Sequence, residues 1–240
     1  RVSGWASHEG LGRLPTVDDH WTLKDGTAHP TGFWAEEFVA PYEIFTGAGW
    51  SVTVATPGGR APTVDRASLD EGAGDRQTLE HFASELTRLA AELDNPEDLA
   101  DVDHEEFDLV FYPGGHGPLE DLSADRVSGS ILAERVRDGK PVALLCHAPA
   151  AVLAASDDPA SSPFAGYAMT GFSNVEEEQV GLAQKAPWLL EDELVELGAE
   201  YSKAPEPWGS HVVVDRNVYT GQNPQSSAEL AKRLVTDLAG

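Results

Sequence analysis

The feature that most constrains what this chain can fold into is the regular exchange of short strand-like runs and longer helical ones, each pair separated by glycine or proline. Glu36 to Ala48 suits a helix. Trp50 to Ala55 then alternates toward a strand that stops at Thr56-Pro57-Gly58-Gly59. Phe107 to Tyr112 and Pro141 to Leu145 are continuous apolar runs of the kind buried on both faces of a parallel sheet. Leu132 to Val136 belongs to the helix between them, and Ala148 to Ala155 suits the helix that follows. Further on, Trp188 to Leu197 reads as helix, Val212–Val214 and Asn217–Thr220 as strands, and Ser226 to Leu238 as a closing amphipathic helix. This rhythm predicts an α/β protein, a mostly parallel sheet covered by helices.

With 240 residues the chain is expected to form one domain spanning 1–240. Residues 1–30 show no clear periodicity and are expected to be loops and short turns. Residues 60–106 are expected to form a helical insertion. Within it Leu79, Phe82, Leu86 and Leu89 recur at helical spacing, and the acidic stretch 94–106 carries Asn95-Pro96 as a solvated connection.

Charge excludes some partners. Sixteen basic against 41 acidic residues give a formal charge of −25, which repels nucleic acid and anionic membranes, so neither is an expected partner. Such acidity makes a strongly solvated surface, as in proteins adapted to high salt. The single cysteine cannot form an internal disulfide, and no apolar run is long enough to span a bilayer, which points to the cytoplasm.

That cysteine, Cys146, follows the strand ending at Leu145 and precedes the apolar helical run, with His147 directly after it. A strand-to-helix turn of this kind is a nucleophile elbow, where the first helical N–H groups stabilise a thiolate or an oxyanion. Free cysteine also packs as an inert core residue. The second strand end, Pro113-Gly114-Gly115-His116-Gly117, argues for chemistry, since together the two turns deliver a thiol, a histidine and exposed amides. Thirty residues after the elbow, Glu176-Glu177-Glu178 offers a carboxylate, although such a run also suits a solvated helix start.

These motifs resemble the DJ-1/PfpI superfamily, and within it the Hsp31-like branch of cofactor-independent glyoxalases and stress chaperones. The resemblance rests on Thr31-Gly32 with Glu37 four residues before Pro41, on Tyr112 to Gly117, on Leu145-Cys146-His147-Ala148-Pro149, on Thr170-Gly171-Phe172 ahead of the glutamates, and on Thr220-Gly221-Gln222-Asn223-Pro224. It implies a flavodoxin-like three-layer sandwich that forms a homodimer. It also implies Cys146 as nucleophile, His147 as its partner, Glu177 (with Glu176 as fallback) orienting that histidine, and Glu37 rather than Glu36 facing the thiol. Oxyanion donors would be the backbone N–H groups of Gly115 and His147. The activity implied is conversion of methylglyoxal, or another small 2-oxoaldehyde, to lactate through a Cys146 hemithioacetal, without glutathione, nicotinamide or any other cofactor.

No metal is expected either, because His8, His20, His81, His104, His116 and His211 show no metal-binding spacing. Deglycase or chaperone activity would accompany the glyoxalase reaction. Alternatives are a PfpI-type cysteine peptidase or amidase, and a holding chaperone without catalysis. A glutaminase would need a late His-x-Glu, and His211-Val212-Val213 lacks the acid.

Overall fold

The computed structural model describes the backbone of residues 11–13 and 16–239. Along the chain run β1 (Leu11–Arg13), β2 (His20–Thr22), β3 (Ala28–Pro30), α1 (Ala35–Gly47), β4 (Val52–Thr56), α2 (Arg76–Arg88), α3 (Ala90–Asp94), β5 (Glu97–Asp98) and β6 (Leu109–Tyr112). They are followed by α4 (Arg126–Arg137), β7 (Val142–Leu145), β8 (Ala168–Met169), α5 (Asn174–Gln179), α6 (Leu190–Glu196), β9 (Glu200–Tyr201), β10 (Val212–Asp215), β11 (Val218–Gly221) and α7 (Ser227–Leu238).

The main sheet has seven strands in the order β10-β11-β7-β6-β1-β4-β5. Every neighbouring pair is parallel except β10 with β11, an antiparallel edge joined by a tight turn. The strands β6, β7 and β11 are buried along their whole length, which is why β6 and β7 are continuous apolar runs.

Two expectations need correcting. The stretch 1–30, expected to be irregular, supplies β1, an interior strand of the sheet between β6 and β4, and a short hairpin of β2 with β3. These strands are only three residues long, too short to display a period. His8 lies outside the described residues. The stretch 94–106 is also not wholly a solvated connection, because Glu97 and Asp98 pair with Ala55 and Thr56 as β5.

One apolar cluster is built on β6, β7, β11, α4, α6 and α7, and includes Phe111, Leu132, Leu144, Val152, Leu194 and Leu230. A second joins α1 and α2 to β4 through Phe38, Val54, Leu79, Phe82 and Leu89, with Leu86 only partly buried. The expected helical face at 79–89 is therefore the one that packs. After the elbow, residues Ala148–Ala155 wind as a 3₁₀ helix rather than an α-helix. In a 3₁₀ helix the side chains at i and i+3 eclipse, and the five alanines of this segment make that arrangement tolerable.

This helix lies against α4 at Gly129, where a Cβ would come within 1.9 Å of the Ala154 carbonyl oxygen. Gly129→Ala is therefore expected to lower stability by about 1–3 kcal/mol, because two backbones would have to separate. Chemical denaturation reads this as a lower midpoint with an unchanged slope.

Candidate active site

The carboxyl ends of adjacent parallel strands are where α/β sheets present ligands. Here β6 ends at Tyr112 and β7 at Leu145, and the two glycine-bearing turns that follow meet above the sheet. Cys146 takes φ = 62°, the left-handed region rarely occupied by a residue with a Cβ. Its N–H donates to the Gly221 carbonyl at 2.8 Å, and its own carbonyl accepts from Phe172 N–H at 2.9 Å. The neighbouring β11 and the 170–172 segment thus hold the strained residue in place.

The turn after β6 approaches so closely that only glycine fits. A Cβ on Gly114 would lie 2.4 Å from the Leu145 carbonyl and 2.7 Å from Glu37 Oε1. Gly115 takes φ = 106°, and a Cβ there would lie 2.2 Å from the Gly32 carbonyl oxygen.

The structure brings the expected side chains together. Cys146 Sγ lies 3.5 Å from His147 Nδ1, and His147 Nε2 donates to Glu177 Oε2 at 2.7 Å. Glu37, in the first turn of α1, is fully buried; its Oε1 accepts from Gly114 N–H at 2.9 Å, and its Oε2 has no hydrogen-bond partner. Glu36 does not line the cavity over the thiol.

Glu176 faces elsewhere. It accepts from Ser173, Gln222, Asn223 and the backbone N–H of Trp208, and it completes a capping box at the start of α5. Of the two adjacent glutamates, Glu177 meets the histidine and Glu176 ties down structure. His211 bonds Ser202 Oγ at 3.0 Å.

Sequence reasoning gave no role to His116, yet His116 Nε2 donates to Glu177 Oε1 at 2.5 Å. Its ring lies 4.0 Å from that of His147 and stacks on Trp21 at 5.3 Å. The pair is separated by 61 positions, so local spacing could not reveal it; the signal was the histidine inside the glycine turn. His116, His147 and Glu177 place one donor atom each within 4.8 Å of one another, a grouping absent from the sequence expectation about metal ligands. Both Glu177 oxygens already accept from the two imidazoles, and His147 Nδ1 faces the thiol. In this arrangement the three form a hydrogen-bonded relay.

Burial opposes ionisation of Glu177, but the two imidazoles outweigh it and hold its carboxyl well below the ordinary range. His147 is pushed down to about 4, first by burial and then by the charge of His116. Burial also works against charge on His116, yet Glu177 beside it lifts this imidazole above its usual value. Glu177 is therefore held as a carboxylate beside a neutral His147, with His116 shifted toward its charged form. With Nε2–H committed to Glu177, the His147 Nδ1 lone pair is left to accept the thiol proton.

The expected resting thiolate is not what the surroundings favour. Burial, and then the carboxyls of Glu37 and Glu176, raise the Cys146 thiol well above its ordinary value. His147 carries no charge to offset this, and Pro149 removes a helical N–H donor. Burial likewise lifts Glu37 well above the ordinary carboxyl value, against the Gly114 N–H that favours its ionised form.

Glu37, Cys146, His147, His116 and Gly115 line a cavity of about 380 Å³, which also touches Trp34, Phe172 and Trp208.

Residues 29–237 match the DJ-1/PfpI family. Glyoxalase 3 of Candida albicans is 26% identical over 212 residues, covering 85% of this chain and 89% of the relative. A glutamine amidotransferase-like class 1 domain-containing protein of Bos taurus is 30% identical, covering 93% and 95%. Among solved structures, the rapid encystment protein of Francisella tularensis superposes with a TM-score of 0.83 at 28% identity, over 96% of this chain and 99% of that one. The sheet order and these superpositions give the chain the flavodoxin-like α/β fold expected from the sequence.

Proposed function

As the chain belongs to the DJ-1/PfpI family, we propose that it is a glutathione-independent glyoxalase acting on small 2-oxoaldehydes. The observation that carries this reading is Glu37: a fully buried carboxyl beside the only thiol, with one oxygen fixed by Gly114 and the other without a partner. A group placed so is suited to removing a proton from a carbon bonded to that sulfur. The name of the Candida relative points the same way.

In this mechanism Cys146 Sγ adds to the aldehyde carbon of R–CO–CHO while its proton passes to His147 Nδ1. The developing oxyanion takes hydrogen bonds from the backbone N–H groups of Gly115 and His147, then the proton back, giving the hemithioacetal. Glu37 removes the hydrogen of the former aldehyde carbon and returns it to the adjacent carbon, while the hydroxyl proton passes through the enediol from the first oxygen to the second, which leaves a thioester. Water hydrolyses the thioester to R–CHOH–COOH and frees the thiol. The sum is addition of one water, so neither an oxidant nor a cofactor is consumed.

Glu177 acts through His147, by fixing its tautomer. Glu177→Gln can offer one imidazole its amide oxygen and must present N–H to the other, so kcat is expected to fall about 100-fold, the lower end of acid–base effects, with KM little changed. Steady-state kinetics on methylglyoxal check this split, and an unchanged kcat would remove Glu177 from the relay. The direct test of the function itself is lactate formation from methylglyoxal in the absence of glutathione. A protein that makes none at low or high salt is not a glyoxalase.

The competing readings find less support. His211, bonded to Ser202, sits apart from the relay a glutaminase would need. Among the described residues the exposed large apolar side chains are four valines, a small basis for a holding chaperone. A peptidase needs room for a peptide chain and would be read with peptide substrates.

No helix among the described residues is long and apolar enough to cross a membrane. We place the protein in the cytoplasm, where its reduced thiol would persist, and as a homodimer; cell fractionation and light scattering read these two points.

A further inference from the structure

Methylglyoxal has three carbons, yet the cavity above Cys146 measures about 380 Å³, within the range of about 300–1,000 Å³ that holds drug-sized ligands. Its floor is polar: Glu37, Cys146 and His147. Its walls are not: Trp34, Phe172, Val180 and Trp208 face the same space. No lysine or arginine lines it, and its titratable groups are Glu37, Cys146, His116 and His147.

Trp208 is the most informative of the wall residues. It holds φ = 67°, a conformation unfavourable for any residue with a Cβ. Its N–H donates to Glu176 Oε2 at 3.0 Å and its indole Nε1–H to Gln179 Oε1 at 2.6 Å. The next residue is fastened as well, since the Gly209 carbonyl accepts from Asn223 Nδ2 at 2.7 Å. The indole then stands edge-on to Phe172 at 5.5 Å, and Phe172 in turn lies 4.3 Å from the His147 ring. Backbone strain maintained by several bonds beside a reactive centre is a reason to look for a function in the side chain it displays.

Resting on the glyoxalase reading, we propose that the Trp34–Phe172–Trp208 wall is a subsite for a bulky apolar group R, so that the preferred substrates are aryl or branched-alkyl 2-oxoaldehydes, with Trp208 determining that preference. The reaction is unchanged: R–CO–CHO and water give R–CHOH–COOH. The aldehyde end reaches Sγ on the floor while R lies against the aromatic wall, where ring contacts add to the burial of apolar surface.

The test compares kcat/KM for phenylglyoxal and methylglyoxal in the native protein and in Trp208→Gly. Glycine accepts φ = 67° without strain, so this change removes the ring and leaves the backbone path. The native protein is expected to favour phenylglyoxal by about tenfold or more, and the glycine variant to lose about tenfold more on phenylglyoxal than on methylglyoxal. Trp208→Phe, which restores a ring, is expected to recover part of that margin and decides the matter if circular dichroism shows the glycine variant unfolded. A native preference for methylglyoxal, or equal losses on both substrates, overturns the proposal and leaves the glyoxalase reading intact. Failure of the native protein to consume either compound instead removes the glyoxalase reading.

Discussion

Cys146→Ala is expected to lose lactate formation by at least about three orders of magnitude, since no other group in the cavity can form the covalent adduct and only binding would remain. The loss is expected in kcat, with the protein still folded. Stability provides a second readout at the same position, because the strain at φ = 62° lies in the backbone and not in the sulfur. Alanine keeps that strain. Cys146→Gly removes it, and although glycine gives up more chain entropy on folding, the left-handed region costs a residue with a Cβ about 1–2 kcal/mol. The glycine variant is expected to unfold at the higher temperature of the two, with both inactive. Residual activity in either variant would mean that the thiol is not the nucleophile.

Glu37→Gln is expected to lower kcat by about 10²–10⁴-fold, the usual span for loss of a positioned base. Glutamine keeps the carbonyl oxygen that accepts from Gly114 N–H, so the turn should hold its shape. The pH dependence follows from the raised carboxyl. Glu37 must be ionised to take the carbon-bound proton, and burial makes it protonate at a pH well above the ordinary carboxyl value of 4.5. As pH falls, activity should therefore be lost earlier than an exposed glutamate would dictate. That limb should not follow His147, which is already neutral down to about 4.

The same shift has a consequence for stability. A carboxyl whose pKa is raised on folding binds its proton more tightly in the native state, so it weakens the fold as pH rises above the unfolded value toward the folded one. Glu37→Gln removes that penalty. The variant is thus expected to be more stable than the native protein at neutral pH while nearly inactive, a combination typical of a group retained for chemistry. Thermal unfolding across pH checks it; a variant that is both inactive and less stable at neutral pH would make Glu37 a structural residue.

The strands that carry the site were legible because parallel strands buried on both faces must be apolar throughout, as in β6 and β7. Glycine turns at their ends were equally visible. What the sequence hid was non-local. The interior strand β1 has three residues and draws its pairing from β4 and β6, so nothing within it marks a strand. His116 meets Glu177 only because the loops after β6 and before α5 converge, and the choice between Glu176 and Glu177 depended on the rotation of a six-residue helix. The ionisation of Cys146 was misjudged for a related reason: an elbow suggests a thiolate, but burial next to a second acid decides against it.

The two glutamates at the start of α5 divide reactivity from selectivity within a single turn of helix. Glu177 serves the histidines, and Glu176, one position earlier, anchors the backbone of Trp208 and the ends of the loops around it. Substrate scope in this scaffold can therefore drift, or be engineered, by exchanging the side chain at 208 while the chemistry stays as it is. Replacing the anchor at Glu176 would disturb both at once, because the helix turn that carries it also carries the partner of His147. A library aimed at new aldehydes should diversify the wall and spare the fastening.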